Sequence, residues 1–180
     1  MSLREALSGT ALEAAPRLLG RRVTTRIGGV ETAVVLTEVE AYEGAEDPAS
    51  HAYRGETPRV RSMFGPAGTL YVYRSYGIHW CMNVTVGPAG VGRAVLLRGG
   101  RIAAGEEAIR RRRGREDHLT DGPGKLCQAL GVTGELDGSD VFDGPVVVSE
   151  RVEATGHVER TPRIGISKAV DRPWRFLLRD

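Results

Sequence analysis

The chain has 180 residues, 41% of them hydrophobic, with 25 Lys+Arg against 23 Asp+Glu and a formal net charge of +2. A single domain of this size buries roughly 70% of its unfolded surface and needs no disulfide or metal staple; collagen-like, coiled-coil and disordered chains are excluded by composition. The small total hides a partition: residues 51–120 hold 12 Arg and 5 acids, a local +7, while the remainder carries −5, which suits a surface that meets a polyanion.

Residues 11–19 predict a short helix opened by Thr10 and closed by Gly20, with Ala11, Leu12, Ala15, Leu18 and Leu19 on its apolar side and Pro16 weakening it. Two β-branched runs, 21–27 and 30–42, joined by Gly28-Gly29, predict a β-hairpin. Residues 43–68 carry turn residues at short intervals; a loop this long inside a compact domain is usually functional. Strands are predicted at 69–77 and 79–86 around Tyr76-Gly77, and at 94–99. Helices follow at 105–114, with Glu106 and Glu107 four residues before Arg110 and Arg111, and at 125–131. The last predicted strands are 145–150, 163–167 and 174–179. The expectation is one α+β domain over 1–180: a mainly antiparallel, curved sheet with short flanking helices and long loops.

Cys81 and Cys127 are too few for a disulfide framework, and neither CxxC nor His-rich spacing offers a metal site, so no metal and no cofactor are expected. The first twenty residues lack the apolar core of a signal peptide, and no apolar run reaches the about 18 residues of a membrane span. The expected location is the cytoplasm, at the nucleoid in a bacterium, without membrane contact. Of the 25 basic residues only Lys125 and Lys168 are lysines, an excess that genome bias explains as well as phosphate recognition does.

The candidate chemistry gathers in the middle of the chain. Glu38 and Glu40, two apart on a strand, place their carboxylates on one face. Tyr42 follows, and His51 lies in the loop beyond. All five tyrosines fall between 42 and 76; Tyr71 and Tyr73 share a strand face, whereas Tyr76 projects from a turn, where a ring either stacks on a base or folds back onto the sheet. Asn83 is either a buried amide with internal partners or a reader of a ligand edge. Arg98 ends an apolar run and suits a pair with Glu40, structural or reactive. The four arginines of 105–114 read as a solvated helix face, with backbone binding the minority reading. GPGKL (122–126) lacks P-loop spacing.

In this order, TEVEAYEGAEDPASHAYRGETPR (37–59), MFGPAGTLYVYRSYGIHWCMNV (63–84), AVLLR (94–98), DGPGKLCQALG (121–131) and RIGISKAVDRPWRFLLR (163–179) resemble the alkyladenine, or 3-methyladenine, DNA glycosylase family. The resemblance implies a monofunctional base-excision-repair enzyme that turns alkylated or deaminated purines out of duplex DNA. The class spans 3-methyladenine, 7-methylguanine, hypoxanthine and ethenoadenine, and hydrolysis of the N-glycosidic bond leaves an abasic site. It implies Glu40 as the general base for water, Arg98 holding that water, Tyr42, His51 and Tyr73 around the extruded base, Tyr76 filling the gap in the duplex, and Asn83 at the purine edge. A monomer suffices to bind such a duplex. Turning a nucleotide out costs a few kcal/mol, less for a damaged base, and tyrosine faces favour a cationic purine by about 0.5–2 kcal/mol. Val60, Arg74, Ile78 and Trp80 depart from the family pattern. The competing readings are a catalytically weak lesion-binding protein of the same fold and an unrelated RNA- or nucleotide-binding module; the absence of RNP, KH and P-loop signals speaks against the latter.

Overall fold

The fold was analysed as a computed structural model that describes residues 1–152 and 156–180. Among the described residues four α-helices are present: α1 (Leu3–Leu7), α2 (Ala11–Leu18), α3 (Glu106–Arg113) and α4 (Pro123–Leu130). Eight strands of the described residues form one antiparallel sheet: β1 (Arg21–Ile27), β2 (Val30–Tyr42), β3 (Leu70–Ser75), β4 (His79–Val86), β5 (Arg93–Ala104), β6 (Val146–Arg151), β7 (His157–Thr161) and β8 (Arg175–Arg179). The α+β expectation stands.

Local chemistry accounts for most element boundaries. Thr10 accepts from the Glu13 N–H while the Glu13 carboxylate accepts from the Thr10 N–H, a reciprocal cap that holds α2 through Pro16. The same Ser-x-x-Glu signal at Ser2 and Glu5 opens α1, a helix the periodicity of the sequence does not announce because it is only five residues long. The predicted hairpin forms in register from Ile27↔Val30 to Arg22↔Val35, with Gly28 and Gly29 at φ 64 and 75°.

Residues 163–167, predicted as a strand, are not one: the segment is irregular, and the strand that pairs with β8 is β7, just upstream. The reason is tertiary. Arg163 is drawn inward to Asp47 and the Ile164 N–H to Glu40, so the backbone that would have continued a ladder is spent on side chains.

Strand order is β3-β4-β5-β2-β1-β6, and β8 joins β2 beyond the point where β1 leaves it. Helices α1, α2 and α4 cover one face, burying Leu7, Leu18, Leu36, Val39, Leu97, Leu126 and Phe176 among others. The other face packs against the long 43–68 segment through Ala52, Val60, Met63, Tyr71 and Ala94. Val60, a departure from the family pattern, is thus a core residue of that loop at 6% exposure.

Register on this second face builds the site. Tyr71 pairs with Asn83, Asn83 with Leu96, Leu96 with Glu40, and Glu40 with Arg175, one continuous row across β3, β4, β5, β2 and β8. Residues opposite one another in adjacent strands share a face, so positions scattered from 40 to 175 stand side by side. Register shifts in the β2–β5 ladder flank Glu38; such bulges re-aim side chains beside sites.

Candidate active site

A pocket of about 560 Å³ opens on this face, bounded by Tyr42, His51, Tyr71, Tyr73, Asn83 and Arg98, with Tyr76 at its rim and residues 164–168 as one wall. Its size falls within the about 300–1,000 Å³ of small-ligand sites. The sequence-predicted residues therefore meet in one place, with one exception of position: Glu40 is behind the lining, 0% exposed.

Three groups engage that carboxylate. The Tyr42 hydroxyl donates to Oε2 at 2.9 Å, the Ile164 N–H donates to Oε1 at 2.7 Å, and Arg98 Nη1 stands 3.5 Å from Oε1. Burial pushes the Glu40 pKa above the ordinary 4.5, because desolvation outweighs the Arg98 charge and the two donated bonds. The same burial, with the Glu40 charge adding to it, drives the Tyr42 phenol far up and keeps it a donor.

The aromatic wall is built on β3 and the loop. Tyr71 and Tyr73 stack with ring centroids 5.5 Å apart and planes at 27°, and His51 meets Tyr73 edge-on at 4.5 Å. His51 Nδ1 lies 3.0 Å from the Tyr71 hydroxyl. Burial, with Arg59 nearby, lowers the His51 pKa below 6.5, so the imidazole is neutral at pH 7. Desolvation pushes Tyr71 up to about 12 and Tyr73 higher. Asn83 Nδ2 donates to the Tyr71 carbonyl at 3.1 Å, which fixes the amide plane at the pocket floor; of the two readings left open for this residue, the buried amide has an internal partner and also lines the cavity.

Tyr76 is 86% exposed at φ 51°, followed by Gly77 at φ 66°, with the Ile78 N–H donating to the Ser75 carbonyl. Two successive positive φ angles define the mirror-image turn that suits a hairpin. An aromatic residue there is strained by roughly 1–3 kcal/mol, and its ring stands clear of the sheet rather than folding back onto it. Ile78 is also exposed, and Arg74 lies over the Trp80 ring at 5.3 Å.

Among the described residues no group of three or more His, Cys, Asp or Glu is placed to hold a metal ion, and no helix is long and apolar enough to cross a membrane.

A profile of the methylpurine-DNA glycosylase family matches residues 5–180. The chain belongs to this family. It is a DNA glycosylase, a hydrolase of N-glycosyl bonds in DNA repair. A protein of Frankia casuarinae is 49% identical over 93% of the glycosylase chain and 84% of its own; one of Cutibacterium acnes is 46% identical over 94% and 92%. A third, from Mycobacterium tuberculosis, is 47% identical over 97% and 88%. All three bear the provisional name 3-methyladenine DNA glycosylase.

Two features of the pocket escape sequence reasoning. Arg163 and Asp47 form a fully buried ion pair, both side chains 0% exposed, with Arg163 Nη2 donating to Oδ1 at 2.8 Å and Nη1 also donating to the Ala41 carbonyl. The Arg163 guanidinium lies 4.6 Å from the Tyr42 ring and 4.9 Å from Trp174, so it braces the rear of the pocket. Secondly, Arg98 gives its shortest contact to Glu38, not to Glu40: Nε donates to Glu38 Oε1 at 2.8 Å. The expected Glu40–Arg98 pair exists, but as the longer of two. A buried Arg invites a search for a buried acid, yet at 116 residues' separation the partner is not legible in the chain.

The basic third of the sequence also divides. Arg59, Arg74 and Arg98 line the pocket. In α3, Arg110 pairs with Glu106 and Glu116 and Arg111 with Glu107, a solvated face as expected. Arg112 turns inward to Thr32, Ala129 and Ile27, and Arg113 to Gln128 and His118. That helix is tied to the fold and is no continuation of the pocket's rim.

Proposed function

We propose that this glycosylase excises alkylated or deaminated purines after turning the damaged nucleotide out of the duplex into the Tyr42–His51–Tyr73 pocket. The carrying observation is the buried Glu40 carboxylate, oriented by Tyr42, Ile164 and Arg98 directly behind an aromatic cavity large enough for one purine nucleoside.

The chemistry follows from the charges. As the N-glycosidic bond breaks, its electron pair leaves with the base and the sugar C1′ acquires oxocarbenium character. The Glu40 carboxylate stabilises that charge and takes a proton from the water whose oxygen bonds to C1′. Bulk water is excluded from a carboxylate this buried, so the reacting water is one escorted into the pocket beside Arg98. A cationic base such as 3-methyladenine gains from the tyrosine faces; neutral hypoxanthine gains stacking and depends on its edge, where the fixed Asn83 amide disfavours the exocyclic amino group of guanine. Tyr76, projecting from its strained turn, offsets the cost of unstacking by occupying the vacated space.

Duplex oligonucleotides carrying hypoxanthine or ethenoadenine, incubated with the protein and then treated with alkali, test the reading. Strand breaks at the lesion are expected. Protected but uncut DNA supports the lesion-binding alternative.

Two further outcomes are expected. Because only ionised Glu40 accepts a proton, excision falls as pH drops through its raised pKa, so the acidic limb of the pH–rate profile lies above 4.5; a flat profile down to that pH contradicts the assignment. Tyr76→Asn removes the ring and places at φ 51° a residue that tolerates it. Affinity for lesion DNA is expected to fall about tenfold or more, the worth of one stacked ring, while the melting temperature holds or rises. Equal affinity of both proteins for lesion DNA, measured by fluorescence anisotropy, contradicts the wedge role.

A further inference from the structure

Glu38 and Glu40 share one arginine unequally. Arg98 Nε donates to Glu38 Oε1 at 2.8 Å, and Arg175 Nε donates to the same oxygen at 2.6 Å. Glu40 keeps only the 3.5 Å contact with Arg98 Nη1. Charge-assisted bonds of the first kind are the strong ones, so the Nε edge of the guanidinium is committed to Glu38. Its position is thereby set with one side in the β2–β5–β8 junction and the rest at the pocket, which Arg98 lines.

We propose that Glu38 is a positioning residue: by holding Arg98 through Nε it aims the guanidinium at the pocket and prevents it from closing a tight pair with Glu40. Without that restraint a flexible arginine beside a buried carboxylate pairs with it through two parallel bonds, the favoured arginine–carboxylate geometry. Glu40 would then lose basicity, and the space beside Arg98 would close to water. Arg175 moderates the restraint, since it shares Glu38 Oε1 and also donates to Thr161.

The charges around the pair are few. Glu38 faces Arg98 from β5 and Arg175 from β8; Glu40 faces Arg98 from β5, Arg163 from the segment after β7, Tyr42 from its own strand and Tyr73 from β3; Cys81 on β4 faces Arg98. Burial tends to raise Glu38, but the bonds from Arg175 and Arg98 prevail and hold it below 4.5, so it stays ionised where Glu40 titrates. Carboxylates held apart in this way take separate roles.

The inference rests on Glu40 as the base, and the test separates the two. Single-turnover excision of hypoxanthine is measured against pH for wild type, Glu38→Gln, Glu38→Asp, Arg175→Gln and Glu40→Gln, with melting curves for each. Glu38→Gln is expected to lower the excision rate about 10- to 100-fold, the scale of a misplaced catalytic group, with lesion affinity little changed and the acidic limb moved to lower pH. Arg175→Gln is expected to move the limb to higher pH, and Glu38→Asp to return it towards wild type. A limb unmoved in Glu38→Gln, with any rate loss tracking stability, overturns the proposal while leaving Glu40 as the base. Full activity in Glu40→Gln overturns the base assignment itself, and Glu38's role with it.

Discussion

Replacing Glu40 by Gln is expected to abolish excision by at least about 10²- to 10⁴-fold, the usual contribution of a positioned acid–base group, while lesion binding persists and the folded state gains stability. Affinity is retained because Gln preserves the shape of the wall and keeps an acceptor for the Ile164 N–H. Stability follows from linkage. A carboxyl whose pKa is raised by folding binds its proton more tightly in the native state than in the unfolded one. Stability therefore falls as pH rises from the unfolded value through the native value, and above the native value the burial cost of the ionised group is borne in full. A neutral isostere removes that cost. Arg98 still has Glu38 and Arg163 still has Asp47, so no buried cation is orphaned. Single-turnover assays and thermal melts check the two halves separately: wild-type turnover would falsify the mechanism, and a large drop in melting temperature contradicts the account of burial. A catalytic residue whose loss stabilises the fold is the expected mark of a site that trades stability for function.

Asp47→Ala is expected to act on stability in the opposite direction. The variant removes the carboxylate bonded to the enclosed Arg163 guanidinium, and breaking a buried pair from one side costs about 3–5 kcal/mol. At about 2–4 °C per kcal/mol for a domain of this length, the melting temperature should fall by about 10 °C. Activity at a temperature where the variant is still folded should also fall, because Arg163 directs the backbone whose next N–H orients Glu40. A melting temperature within about 2 °C of wild type contradicts the assignment of this pair as the brace of the pocket. Loss of stability with unchanged excision by the folded fraction contradicts the link from Arg163 to Glu40.

The contrast between these two carboxylates shows how far sequence reasoning reaches. Glu40 is legible because its surroundings are local: a strand alternation, a tyrosine two residues on, and a family motif that spans them. Asp47 sits in a loop among Glu43, Glu46 and Pro48, where a polar residue ordinarily faces water, and nothing nearby marks it as buried. Arg163 misleads more actively, since RIGIS alternates like a strand. Its actual conformation is set by an acid 116 positions earlier.

By itself, the sequence determined the Thr10 helix cap, the two-strand hairpin at Gly28-Gly29, a turn at Tyr76-Gly77, the single α+β domain and, through its motifs, the family. These are features encoded between near neighbours, where dihedral preference, cap chemistry and alternation act over a few residues. Only the tertiary structure decided how Arg98 is divided between Glu38 and Glu40, that residues 164–168 form a wall, and that Arg112 and Arg113 of α3 serve the fold while Arg59 and Arg74 line the pocket. Those outcomes depend on pairings 60, 116 and 124 residues apart. Strand register and the bulges beside Glu38 settle such pairings, and a one-residue slip in either would have turned each carboxylate to the opposite face.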